Sequence, residues 1–265
     1  MRILFLGDVV GRSGREALNK YLNKIVIENN IDFTIVNGEN SAGGFGITEK
    51  ICSEFYTAGV DAITTGNHLW DQKEIGKYID KDHRLLKPYN SAEGTPGVGY
   101  NIFQSDCGKE IAVINLIGNV FMKANDNPFQ KIDEVIKKIE KKDIHFIFVD
   151  FHAEATSEKV AMGHHLDGRV TAVIGTHQHI PTADAHILNK GTAYQTDAGM
   201  CGDYNSIIGM EIETILEKFK GNETKNRFTP ALGEATLCGV IIESENNSFL
   251  AKSIMPFKYG GVLGL

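Results

Sequence analysis

The chain has 265 residues, 42% of them hydrophobic and 23% charged, a globular balance that excludes a disordered or low-complexity chain. A net charge of −7 and a pI near 5.7 exclude a general binder of nucleic-acid backbones, so no stable nucleic-acid complex is expected. The start, Met1-Arg2-Ile3-Leu4-Phe5-Leu6-Gly7-Asp8, has no basic segment leading into a long apolar one, and no stretch reaches membrane-spanning length. A cytoplasmic protein without a membrane partner is expected.

Apolar, β-branched runs at 3–6, 33–36 and 62–64 alternate with helical patterns at 16–29, 48–58 and 71–79, which implies a layered α/β arrangement. Runs at 100–103 and 111–116 read as a hairpin turning across Asp106-Cys107-Gly108-Lys109, and a charged helix at 128–142 follows. Strands at 146–151 and 172–174 flank a short helix around 157–164. After them come 185–188, 193–195, a helix at 211–220 and two terminal strands near 234–243 and 249–256. No linker-like change of composition interrupts the series, so a single domain over 1–265 is expected, a two-sheet β-sandwich with outer helices. Cys52, Cys107, Cys201 and Cys238 are scattered with no Cys-x-x-Cys pair, which reads as reduced thiols rather than a disulfide framework or thiolate zinc site.

In open α/β sheets ligands gather beyond the carboxyl ends of strands. Polar clusters occupy that position here: Gly7-Asp8, Asn37-Gly38-Glu39-Asn40, Gly66-Asn67-His68, His152, and Gly175-Thr176-His177-Gln178-His179. Each alone has a plain structural reading: Asp8 as a helix cap, Asn67 as a turn residue, Glu39 as a loop acid, His152 as a hydrogen-bonded strand end. Together they form a metal-ligand set. Carboxylate, amide oxygen and neutral imidazole are what borderline divalent ions accept, and these groups outnumber the needs of one ion. Two ions are therefore expected, with Glu39 as the shared carboxylate. His177 and His179, two apart, would project to one side of an extended segment, with Gly175 giving the backbone room to turn.

The order and spacing of these motifs resemble the calcineurin-like metallophosphoesterase superfamily, which usually reads D-x-H, G-D-x-x-D, G-N-H-[DE], a single His and G-H-x-H. This chain has Val10 in place of the first histidine and Glu39 in place of the bridging aspartate. Both departures, with GDVVG at 7–11, NGEN at 37–40, TTGNHLWD at 64–71 and DFHAEATSEK at 150–159, resemble its bacterial YmdB-like branch. That resemblance implies an α-β-β-α fold in which one metal is held by Asp8, Glu39, Asn40 and His179 and the other by Glu39, Asn67, His152 and His177. Asn40 takes the role of the missing histidine. His68 is left as the general acid, protonating a leaving oxygen while a metal-bridging hydroxide attacks phosphorus.

The resemblance further implies 2′,3′-cyclic nucleotides as substrates, opened to 3′-nucleotides, and iron or manganese as the metals, although zinc also suits such ligands. A phosphomonoesterase or nuclease using the same metals, or a nucleotide-sensing regulatory protein, are the competing readings. A proton donor at His68 favours an enzyme. A homo-oligomer is left open.

Several other features are read as structural. His164-His165 point in different directions on a helix, which suits a surface or substrate-rim role better than joint ligation. His83, His145 and His186 lack partner ligands, and the lysines at 137, 138, 141 and 142 alternate with acids on a solvated face. Trp70 is expected to pack beneath the site rather than to stack on a base. Gly43-Gly44-Phe45-Gly46 is expected to curl the loop after Asn40 around the metals.

Overall fold

The computed structural model describes residues 1–106, 108–123, 125–222, 228–246 and 248–264. Among them the strands form a seven-stranded sheet and a six-stranded sheet. In the first, β1 (Arg2–Leu6), β3 (Phe33–Asn37) and β4 (Ala62–Thr64) run parallel, and β12 (Ala235–Ser244) lies antiparallel to β1. The strand β13 (Ala251–Tyr259) pairs with β12, and β11 (Met200–Asp203) joins β12 to the two-residue strand β2 (Asp8–Val9). In the second sheet, β6 (Glu110–Ile117), β7 (Ile144–His152), β8 (Ala172–Thr176) and β10 (Ala193–Gln195) are parallel. The strands β5 (Tyr100–Gln104) and β9 (His186–Ile187) close its edges in antiparallel fashion.

Period-two side-chain alternation explains the layering. Ile3, Phe5 and Ile35 of the first sheet face Val113, Phe146, Phe148 and Ile174 of the second, and the Phe5 and Phe148 rings lie 4.8 Å apart. The intervening residues Leu4 and Leu6 face outward onto α1 (Gly11–Asn29) and α2 (Glu49–Ala58). On the far side, Ala112, Ile114 and Val149 pack under α4 (Pro128–Ile139) and α5 (Thr156–Leu166). The expected α-β-β-α sandwich is therefore present. No helix among the described residues is long and apolar enough to cross a membrane.

Some local expectations need correction. The helix expected from 16 begins at Gly11, because its entry is secured by backbone: Gly11 N donates to the Asn40 carbonyl at 2.9 Å, while Val10 supplies no side-chain cap. A start built from Gly11, Ser13 and Gly14 carries little helix propensity, which hides it from pattern reading. Residues 71–79 do not form one helix. They break into a 3₁₀ turn at Leu69–Asp71, the short α3 (Ile75–Tyr78) and a second 3₁₀ turn at Ile79–Lys81. The strands β2 and β11 escaped notice since Met200-Cys201-Gly202-Asp203 lacks β-branched residues. The 211–220 helix is α6 (Ile212–Phe219). Cys52, Cys201 and Cys238 are buried free thiols, and Cys107, expected in the hairpin turn, lies outside the described residues.

Candidate metal centre

The carboxyl ends of parallel strands from both sheets meet at one edge of the sandwich. Glu39 and Asn40 follow β3, Asn67 and His68 follow β4, His152 ends β7, and His177 follows β8. Asp8 opens β2 directly after β1, so it is a strand residue and not a helix cap. Asp8, Glu39, Asn40, His152 and His179 are buried, whereas Asn67, His68 and His177 are partly open to solvent.

His152 is the hub. Its Nε2 lies 3.0 Å from Glu39 Oε1, 2.9 Å from Asn67 Oδ1 and 3.1 Å from His177 Nδ1. One ligand atom from each of Glu39, His152 and His177 falls within 4.8 Å of the others. The far side of the His152 ring is fixed: Nδ1 stands 2.9 Å from Thr176 Oγ1, which donates to Asp150 Oδ1 at 2.7 Å. Because the Thr176 proton is committed to Asp150, the imidazole must donate from Nδ1, which turns Nε2 toward the cluster.

The other two histidines are oriented the same way. His179 Nδ1 donates to the Ile208 carbonyl at 2.8 Å, which leaves Nε2 as its free nitrogen. His177 Nε2 faces Glu154 Oε2 at 3.1 Å, which leaves Nδ1 facing His152. A neutral imidazole held by its outer nitrogen offers its inner lone pair to a metal.

The oxygens tell the same story. Asp8 Oδ2 accepts the backbone N–H of His177 and Glu39 Oε2 that of His68, each at 3.1 Å. Asn40 Nδ2 donates to the Gly44 carbonyl at 3.0 Å. In each case one side-chain atom is anchored and its mate is left over: Asp8 Oδ1 and Asn40 Oδ1 are buried without a hydrogen-bond partner, and Glu39 Oε1 has only the His152 ring beside it at 3.0 Å. Buried oxygens without partners are costly, and a cation is what satisfies several at once. Gly66 keeps the space open, since a Cβ there would come within 2.3 Å of His152 Cδ2 and 2.4 Å of Glu39 Oε2. The donor set fits a divalent transition-metal site.

Charge in the cluster points the same way. Burial raises the Asp8 carboxyl, with His179 and His152 pulling against it. For Glu39 burial is outweighed by the neighbouring His152, which holds it at about 2, while His152 is carried against burial to about 9 by Glu39. Burial lowers His177 to about 3, so its lone pair is available. The carboxylates thus demand a positive charge beside them.

Two expectations about the last motif are corrected. His177 and His179 are not extended: their φ angles are 102° and 65°, so the imidazoles reach the cluster from a left-handed turn. Gly175 does not supply that turn. It sits inside β8, where a Cβ would lie 1.8 Å from the Thr196 carbonyl oxygen, so it is glycine because two backbones touch. The turn is instead pinned by the buried Lys159, whose Nζ lies 2.8 Å from Asp197 Oδ2 and donates to Gln178 Oε1 at 3.2 Å, and Asp197 accepts from Gln178 N at 3.0 Å.

His68 stands at the rim. Its Nδ1 lies 2.7 Å from Asp71 Oδ2 and its ring meets Phe45 edge-on at 5.0 Å. Phe45 reaches it because the glycine-rich loop does curl, with Gly43, Gly44 and Gly46 all at positive φ. Sequence reading missed Asp71, Phe45, Asp150, Thr176 and Glu154 as partners of the cluster. The spacing His68-Leu69-Trp70-Asp71 was the available signal, masked by assigning Asp71 to a helix start. Trp70 does not pack beneath the site but is 37% exposed. His165 is tied to Asp133 at 3.0 Å in a network with Arg169, away from any role as a joint ligand with His164.

A family model described as YmdB-like protein matches residues 4–257. The chain belongs to this family. A relative from Bacillus subtilis (strain 168), named 2′,3′-cyclic-nucleotide 2′-phosphodiesterase, is 51% identical over 254 residues, covering 96% of this chain and 95% of the relative. A crystal structure of a hypothetical protein from Thermus thermophilus superposes with a TM-score of 0.90 at 38% identity, covering 99% of this chain and 100% of that one. A crystal structure described as a novel phosphatase from Mycoplasma pneumoniae also gives a TM-score of 0.90, at 34% identity, covering 98% of this chain and 93% of that one. The YmdB-like fold is thus shared with phosphatases along nearly the whole chain, and the protein is a phosphoester hydrolase of the metallophosphoesterase type.

Proposed function

We propose that this YmdB-like protein is a dinuclear phosphodiesterase that opens 2′,3′-cyclic nucleotides at the 2′ ester bond and leaves the 3′-phosphate. The observation that carries the proposal is the set of buried side-chain oxygens on Asp8, Glu39 and Asn40 among inward-turned imidazoles, with those of Asp8 and Asn40 lacking any hydrogen-bond partner and that of Glu39 met only by the His152 ring. Asp8, Glu39, Asn40 and His179 would hold one ion, and Glu39, Asn67, His152 and His177 the other. Iron or manganese is the proposed metal pair, with zinc compatible with the same ligands. When bound, such a pair supplies positive charge for the phosphoryl oxygens and activates water for attack.

The chain's own residues do the rest. His68, its Nδ1 committed to Asp71, presents Nε2 to the cleft as a proton donor. Water adds to phosphorus and gives up a proton to solvent, the P–O2′ bond breaks, and the proton from His68 Nε2 goes to O2′. Asp71 holds the ring in the donating orientation, and Phe45 limits its swing. The relative's activity on 2′,3′-cyclic nucleotides supports the substrate class. Incubation of metal-loaded protein with 2′,3′-cyclic AMP should yield 3′-AMP. Release of 2′-AMP would contradict the regiochemistry, faster phosphate release from monoesters would favour a monoesterase, and binding without turnover would favour a sensor.

A further inference from the structure

The cleft that contains His68, His177 and His179 has a cavity of about 520 Å³, and part of its lining is an apolar wall of Ile207, Ile208, Met210, Ile215, Phe219 and Phe228, with Lys218 among them. Two of these side chains are exposed. Phe219 is 80% exposed at the end of α6, and Ile208 is 49% exposed. Exposed apolar groups beside a polar site are a binding feature more often than an accident.

Ile208 adds an independent observation. It is a β-branched residue at φ 45°, a conformation that glycine adopts freely and isoleucine does not. Its carbonyl carries the His179 Nδ1 hydrogen bond, so the same residue sets a histidine of the metal cluster and presents a side chain to the cleft. A glycine would serve the carbonyl's purpose without strain. The side chain that is present instead lines the cleft.

We infer that Phe219 and Ile208 form the subsite for the nucleobase of the substrate, a stacking and apolar wall that holds the base while the phosphate sits at the metals. This inference rests on the phosphodiesterase reading. Phe228 is less available, because Lys218 Nζ lies 4.5 Å over its ring. Stacking on an aromatic face is tolerant of base identity, so the subsite favours any ligand that carries a base over one that has none.

The test is affinity, measured by calorimetry on metal-loaded protein with 3′-AMP and with ribose 3-phosphate, which lacks the base. The preference for 3′-AMP over the base-free ligand should be on the order of 5- to 150-fold, the range that base stacking on an aromatic side chain supplies. Phe219→Ala, at an exposed position that does not threaten folding, should bring that ratio close to one, and Phe219→Trp should restore it. Ile208→Ala should lower the ratio by a smaller factor. A ratio near one in the wild type, or a ratio unchanged in both alanine variants, overturns the inference. So does a Phe219→Ala protein that sediments as a smaller assembly than the wild type at an unchanged ratio, since the wall would then be an interface between copies. Because the readout is binding, a protein that prefers 3′-AMP through Phe219 yet leaves 2′,3′-cyclic AMP intact would keep the base subsite and lose the proposed reaction.

Discussion

Asp71 Oδ2 lies 2.7 Å from His68 Nδ1, three residues along the same turn. A carboxylate at that distance orients the imidazole and aims the opposite nitrogen into the cleft. If His68 is the acid, His68→Ala should keep its metals and lose about 10²–10⁴-fold in turnover of 2′,3′-cyclic AMP. Asp71→Asn should lose less, on the order of 10–100-fold, as expected for an orienting partner. A nitrophenyl phosphodiester, whose leaving group needs no proton, should recover part of both losses. A purely structural role for Asp71 would depress both substrates equally, so the ratio of the two rates is the quantity to measure.

Asn40 is the residue whose role is hardest to explain without a cation. Its amide nitrogen is committed to Gly44 and its oxygen is buried without a partner. Asn40→Ala should therefore lose the ion shared with Asp8 and His179 while retaining more of the other. Metal removal by a chelator should lower the melting temperature of the wild type, since a ligand bound only to the folded state stabilises it. The same treatment should shift the Asn40→Ala melting temperature less. Calorimetric scans of the four samples decide the matter, and equal shifts would remove Asn40 from the ligand set.

Gly66 offers a steric check on the same centre. Its missing Cβ is the space between His152 and Glu39, with contacts of 2.3 and 2.4 Å that a methyl group cannot tolerate. Gly66→Ala should displace one or both side chains, lowering metal content and turnover together. Gly76→Ala, in the short helix α3 where a Cβ meets nothing within 4 Å, should leave both unchanged.

How much of this was legible in the sequence depends on the kind of interaction. The sandwich was readable because short continuous apolar runs such as 111–116 and 146–151, alternating with helical patterns, mark strands that are buried on both faces. The clusters at strand ends were readable because Asp8, Glu39, Asn67, His152 and His177 follow recognisable apolar strands. What was hidden depends on backbone. The early start of α1 rests on the Asn40 carbonyl, and the His177–His179 turn rests on left-handed φ values sustained by the buried Lys159–Asp197 pair. The outer partners Thr176, Glu154 and Ile208 come from tertiary proximity, which spacing does not encode.

Glu243 provides a pH-dependent check on the fold. It faces Arg2 across the β1–β12 register, and hydrogen bonds from Lys252 and Arg2 lower its carboxyl from 4.5 to about 2. A depressed carboxyl contributes stability above its unfolded value, and the contribution fades as pH falls from about 4.5 toward about 2. Glu243→Gln should be slightly less stable than the wild type at pH 6, by less than about 1 kcal/mol for a surface pair. Urea denaturation at pH 6 and pH 3 should show that gap narrowing. A gap that widens on acidification would assign Glu243 another role.

We propose that this protein holds two metal ions with Glu39 between them, and elemental analysis of the anaerobically purified chain decides it. Two transition-metal ions per chain are predicted for the wild type, falling together in Glu39→Gln, because that change removes the shared charge from both sites. One ion or none in fully loaded wild type, or two ions retained at undiminished affinity in Glu39→Gln, would contradict the account.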